Sequence, residues 1–200
     1  MKNGKRFTQI SILIILVMCV IIGVYYVLTR RPKEMTEESS APASTVQELL
    51  SVNFERNYPP SPKEVLKQYS EITKAFYNET YTDEELEALA FKIQELYDDE
   101  LIANETEEQY IRTLKSDISN FKNNNIVISS YATSASTDVD YFAEDGFQWA
   151  RLNCVYTIRQ GTQMGAIREV FILRKDDNGH WKIYGWDKLK DEKEQGITAS

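Results

Sequence analysis

At Asn123-Asn124-Asn125 the hydrophobic pattern of this chain changes period, and that change limits the fold more than any other feature. Upstream, apolar residues recur three and four places apart, as on one face of a helix; downstream they alternate, as on a strand. A run of helices followed by a run of strands is the order of an α+β domain rather than of alternating βαβ units.

Three helices are predicted. Ser61-Pro62-Lys63-Glu64 reads as a capping box with proline at the first helical position, followed by Val65, Leu66, Tyr69, Ile72, Phe76 and Tyr77 on one face. Thr82-Asp83-Glu84-Glu85 repeats that start ahead of Leu86, Leu89, Ile93, Leu96 and Tyr97. The third begins near Thr106, with Gln109 three places on and Tyr110, Ile111, Leu114, Ile118 and Phe121 as its stripe. Before them, Val46, Leu49, Leu50 and Phe54 have the spacing of a short helix docked on the domain.

Beyond the asparagines, residues 126–142, 147–159, 166–175 and 180–187 are predicted to form a four-stranded antiparallel meander. Asp145-Gly146 and Asn178-Gly179 tolerate the positive φ of two-residue hairpin loops, and each such loop fixes a register. The first sets Asp140 opposite Arg151, Val139 opposite Leu152 and Ala135 opposite Tyr156. The last sets Leu173 opposite Tyr184, Phe171 opposite Trp186 and Glu169 opposite Lys188, with His180 paired to Asp177. A longer loop over 160–165 sets Cys154 opposite Phe171 and Tyr156 opposite Glu169. Val127, Tyr131, Ala135, Val139, Tyr141, Ala150, Leu152, Cys154, Tyr156, Ile158, Ile167, Phe171, Leu173, Tyr184 and Trp186 then share the face that meets the helices. Trp149 and Trp181 fall on the other face with Ser134, Ser136, Asp138, Asp140, Arg151, Asn153, Arg168 and Arg174, which is expected to be partly wet.

Residues 8–29 carry no charge and are long enough to cross a bilayer, which takes roughly 20 apolar residues. A cleaved signal peptide has a shorter apolar core and a small-residue cleavage site; neither is present, and Met18 stands where a lipoprotein site before Cys19 needs a small residue. Lys2, Lys5 and Arg6 precede this segment and Arg30, Arg31 and Lys33 follow it, so the positive-inside count is nearly tied. The simplest arrangement is a signal anchor: a short cytoplasmic tail (1–7), a transmembrane helix (8–29), a flexible tether (30–60) with the short helix in it, an extracytoplasmic domain (61–189) and a disordered tail (190–200). The expected location is thus the cell membrane, with the amino terminus inside.

Six of the 23 basic residues lie before Glu34, which leaves 17 against 31 acidic ones and a net charge of −14 for the remainder. Such a surface repels nucleic acid and anionic lipid. Cys19 is in the apolar run and Cys154 stands alone, so no disulfide framework is available. Asn78-Glu79-Thr80 and Asn104-Glu105-Thr106 match a glycosylation sequon that matters only in a glycosylating host. The acids of DEELEALAFKIQELYDDE suit a first helical turn and solvent, and DVDYFAEDG lacks the alternating ligands of a calcium loop. No phosphate-cradling loop, Cys/His metal spacing or Ser/His pair is present; no cofactor and no metal site are expected.

Three helices followed by a long, curved antiparallel meander resemble the nuclear transport factor 2-like (cystatin-like) cone, and HWKIYGWDKL is similar to the closing strand common in that superfamily. The resemblance spans about residues 61–189. NYPPSPKEVLKQYSEITKAFYNETYTDEELEALA and YFAEDGFQWA look like a membrane-anchored family of Gram-positive anaerobes, which implies a bacterial envelope location and no known activity. Some cones of the superfamily are lyases or isomerases acting through a carboxylate, histidine or tyrosine inside the cone; many others bind ligands or partners. Cones of this type also dimerise through the outer face of the sheet, which would make Trp149 and Trp181 a dimer face.

His180, the single histidine, sits beside a turn, unlike the histidine of the cone enzymes. Glu169 is the one carboxylate projected onto the apolar face, between Ile167 and Phe171 and flanked by Tyr156 and Lys188. Two readings stand: a general base or polar anchor in a pocket with Tyr156, Lys188 and Trp186, or an ion pair with Lys188 at the open end of the sheet. Tyr69, Tyr77, Tyr97 and Tyr110 lie on apolar stripes and are expected in the core. The expectation overall is a non-enzymatic, membrane-anchored module for protein assembly or ligand binding, with a protein partner or homodimer and a small ligand as open classes. The alternative is a small-molecule lyase or isomerase using Glu169 and Tyr156.

Overall fold

The computed structural model describes residues 45–189. The expected cytoplasmic tail, membrane helix, tether up to residue 44 and tail 190–200 lie outside the described residues. Among the described residues no helix is long and apolar enough to cross a membrane.

The described residues form an α+β unit with five α-helices and one five-stranded antiparallel sheet. Helices α1 (Thr45–Ser51), α2 (Pro62–Asn78), α3 (Asp83–Gln94), α4 (Asp99–Ile102) and α5 (Glu107–Asn123) come first, and strands β1 (Ile126–Thr133), β2 (Asp140–Glu144), β3 (Phe147–Gln160), β4 (Gln163–Lys175) and β5 (Trp181–Lys188) follow. From Thr45 to Pro60, part of the stretch read as a tether, the chain is packed: Val46 and Phe54 are buried, and the Tyr58 hydroxyl donates to the Trp181 carbonyl at 2.9 Å.

The starts of the helices follow their capping residues. Thr82 with Glu85, and Thr106 with Gln109, make complete capping boxes. At α2 only half of the predicted box forms: Ser61 accepts from the Glu64 amide at 3.3 Å, while the Glu64 carboxylate lies 3.9 Å from Lys67. The short α4 was not predicted; Asp98 caps it by accepting from the Glu100 amide at 3.0 Å.

The first predicted strand is two strands. Both β1 and β2 pair with β3, but nine steps from Tyr131 to Asp140 face only five from Tyr156 to Arg151. The excess is taken up at Ala135 and in a 3-10 turn over Ser136–Asp138, where small polar residues favour a turn over a ladder. Ala135 is therefore not opposite Tyr156; Tyr131 is. A bulge between Ile128 and Ser130 also puts Ile128 in the core in place of Val127. Asp145 and Gly146, at φ +50° and +83°, close the next hairpin with Asp140 opposite Arg151 as predicted.

The middle hairpin closes on Gly161-Thr162 with Gln160 opposite Gln163, a tighter loop than predicted. Leu152 then faces Phe171, Cys154 faces Glu169 and Tyr156 faces Ile167. Because the slip is two residues, every side chain keeps its face.

The last hairpin holds two irregularities that cancel. Gly179 donates to the Asp176 carbonyl at 3.0 Å and Asp176 donates back to the His180 carbonyl at 2.8 Å, so the loop has three residues, not two, and His180 does not pair with Asp177. This moves the register by one, setting Leu173 opposite Ile183, until a bulge at Tyr184 restores Phe171 opposite Trp186 and Glu169 opposite Lys188. Between the two, faces exchange: Ile183 and Trp181 are in the core, and Tyr184, predicted inside, is outside. Trp181 therefore does not belong to an outer dimer face. Tyr141 keeps its inner register opposite Ala150, but β2 is a short edge strand and leaves the ring exposed, against Trp181 at 5.7 Å.

Val65, Leu66, Ile72 and Phe76 of α2 and Leu86, Leu89 and Ile93 of α3 pack on Leu152, Cys154, Phe171, Leu173 and Ile183 of the sheet to make the core. The free edge of β5 is partly covered: Asp98 donates to the Ile183 carbonyl at 2.9 Å and Ile183 to the Leu96 carbonyl at 2.8 Å.

Candidate functional site

Tyr69, Thr73 and Tyr77 stand four residues apart on α2, and so form one column along it. Tyr110, Thr113, Leu114 and Asp117, at helical spacings of three and four, share one face of α5. With Tyr97, Glu105, the end of α3, α4 and Trp186 of β5 they line a partly open cavity of about 220 Å³. Trp186 is its aromatic centre, 5.6 Å from the Tyr69 ring and 5.9 Å from both Tyr97 and Phe171.

Burial pushes every phenol here upward. Tyr77 is pushed up to about 12, with Asp117 and Glu169 adding to the effect, and Tyr110 to about 12, with Glu105 adding to it. Tyr69 and Tyr97 rise well above the usual tyrosine range for the same first cause, and Glu169 adds to the rise at Tyr69. All four are neutral hydroxyls at physiological pH. The ionisable side chains that join them in the lining are Glu105 and Asp117; among the described residues no Lys, Arg or His lines the cavity.

Of the residues singled out in the sequence, Trp186 lines the cavity. Glu169 sits half-buried on the helix-facing side of β4, opposite Cys154 and Lys188 and outside the lining. Burial raises its carboxyl above the usual range, and Lys188 offsets part of that rise. Lys188 is exposed and makes no ion pair with Glu169 within 4.0 Å, so the pairing is one of strand register and longer-range attraction. Tyr156 is sealed in the core, its hydroxyl 2.9 Å from the buried Ser70 hydroxyl, and Cys154 lies 3.6 Å from the same oxygen. His180 is a turn residue, its ring stacked 4.2 Å from Tyr58 and its Nδ1 3.6 Å from Asp176.

Trp149 is half-buried on the outer face, in a second aromatic cluster. The Arg174 guanidinium lies 4.7 Å from the Phe147 ring, 5.0 Å from Tyr184 and 5.7 Å from Trp149. It donates to both oxygens of Asp98, at 2.6 and 2.9 Å, and to Glu100 at 2.7 Å. No group of three or more His, Cys, Asp or Glu residues placed to hold a metal ion occurs among the described residues.

Residues 1–186 match the model of the family described as a domain of unknown function, DUF6715. The chain belongs to the DUF6715 family. No curated protein matches it. In this DUF6715 member the cavity is built by the four tyrosines that the sequence pattern assigned to the core. Tyr69 and Tyr97 are buried in the core as expected, and Tyr77 and Tyr110 pack against it, so the cavity is a gap in the core's own wall.

Proposed function

We propose that this protein is a membrane-anchored ligand-binding module of the bacterial cell envelope, with a cone fold of the nuclear transport factor 2-like type. The observation that carries the binding role is the cavity walled by four neutral tyrosines and Trp186. Concave sites with aromatic walls and a few convergent polar groups suit small ligands. The order of helices before an antiparallel sheet supports the cone, and the uncharged run over 8–29 supports a single-pass anchor with the domain outside.

Lyase or isomerase chemistry through Glu169 and Tyr156 has less support. Tyr156 is buried against Ser70, and Glu169 lies outside the lining, so the two do not converge on one bound molecule. Catalysis by a base requires it within hydrogen-bond reach of the proton it removes.

The test is purification of the full chain in a mild detergent, followed by mass spectrometry of what co-purifies and crosslinking on intact cells. A small molecule retained by the native chain and lost from Trp186→Leu is the expected result. A partner crosslinked through the outer face, with nothing retained in the cavity, would replace ligand binding by assembly. Protease accessibility of the domain on intact cells tests the orientation; protection would place it inside.

A further inference from the structure

We propose that the cavity binds a small organic cation, an amine or quaternary ammonium headgroup, against Trp186, Tyr77, Tyr97 and Tyr110, with Glu105 and Asp117 as counter-charges. This deepens the ligand-binding reading and rests on it. Rings of tyrosine and tryptophan attract a cation through the negative face of the π-system, tryptophan most strongly. The charged side chains of the lining are both acidic, and among the described residues no basic one lines it. Burial is the main cause of the raised phenols, and Asp117, Glu105 and Glu169 add to it at Tyr77, Tyr110 and Tyr69 respectively. An anionic ligand would meet two carboxylates with no counter-charge.

Size narrows the class. At about 220 Å³ the cavity is smaller than the roughly 300–1,000 Å³ of drug-sized sites, so it takes a compact headgroup rather than an extended molecule. The same chain already solves this recognition problem once. Arg174 is held by three aromatic rings and two carboxylates on the outer face, at ring distances of 4.7 to 5.7 Å.

The decisive probe is choline set against its neutral carbon isostere, in which carbon replaces the ammonium nitrogen and the shape is kept. Both are titrated into the full chain in a nonionic detergent, with the isotope-labelled tryptophan indoles followed by NMR and the Trp186 signal assigned from Trp186→Phe. Choline is expected to shift the Trp186 signal saturably and to bind roughly tenfold or more tightly than the isostere, the joint worth of the cation–π contacts and the two counter-charges. The double variant Glu105→Gln, Asp117→Asn should erase most of that preference, with the Trp149 and Trp181 signals unmoved as proof of folding. Equal affinity for the two probes, or a Trp186 response to the isostere alone, would overturn the cation and leave a neutral ligand site. A Trp186 signal that answers to neither would overturn the cation and the ligand-binding reading together.

Discussion

The outer cluster around Arg174 and the inner cavity around Trp186 are made of the same parts, aromatic rings with two carboxylates each, yet among the described residues only the outer one contains a cation from the chain itself. Outside, Asp98 and Glu100 hold the guanidinium while Phe147, Trp149 and Tyr184 surround it. Inside, Glu105 and Asp117 accompany Tyr77, Tyr97, Tyr110 and Trp186. The outer arrangement satisfies itself and contributes to stability; the inner one leaves attraction for something else. Similar composition thus gives a structural joint in one place and a candidate binding site in the other.

If that contrast is right, the two regions respond oppositely to mutation. The largest loss of stability is expected from Arg174→Met, because it leaves Asp98, only 6% exposed, without its partner. Removing one member of a buried pair costs about 3–5 kcal/mol, and urea unfolding should show it. The double variant with Asp98→Asn should recover much of the loss; no recovery would mean that ring packing, not charge, holds the cluster. Tyr156→Phe, in the core beneath the sheet, should cost about 1–2 kcal/mol by leaving the buried Ser70 hydroxyl without its phenol partner. A loss no larger than that of an exposed Tyr→Phe change would show that Ser70 finds another hydrogen-bond partner.

A smaller effect, of opposite sign, is expected at Glu169. Burial raises its folded-state pKa, so its contribution to stability is full below the unfolded carboxyl value, about 4.3, and is lost as pH rises through the folded value. Glu169→Gln should therefore raise the thermal midpoint at pH 7 and give no gain near pH 4. A gain that does not change with pH would assign the effect to packing. Smallest of all, Glu105→Gln and Asp117→Asn should each leave stability within about 0.5 kcal/mol, as for surface changes without buried partners. A loss comparable to that of Arg174→Met would make the cavity a second structural joint and end the contrast.

The elements that organise both regions were legible where local chemistry decides them. Thr82 and Thr106 start their helices as written, and Asp145-Gly146 sets its register through two positive φ angles. The failures are places where several loop lengths satisfy the same residues. Asn178-Gly179 is compatible with a two-residue loop, but the Asp176 carboxylate accepts from the amides of Asn178 and His180, at 2.9 and 2.7 Å, and so favours the longer one. Gly161-Thr162 carries a weaker turn signature than Asn-Gly, so the sequence favours a longer middle loop than the one that forms. For the site, Trp186 and the inward face of Glu169 followed from alternation alone. The cavity did not, because it depends on how four helices and a strand approach one another, and no single periodic stripe contains that information.

The bulge at Tyr184 serves the outer cluster without being needed for the inner one. Deleting Tyr184 alone would turn the bulge into a regular ladder with Leu173 opposite Ile183 and Phe171 opposite Trp186, so Trp186 would stay in the cavity wall. What that deletion would remove is the ring that the bulge presents to Arg174. A chain without the bulge should therefore keep the cavity and be one whose outer cluster has been rebuilt.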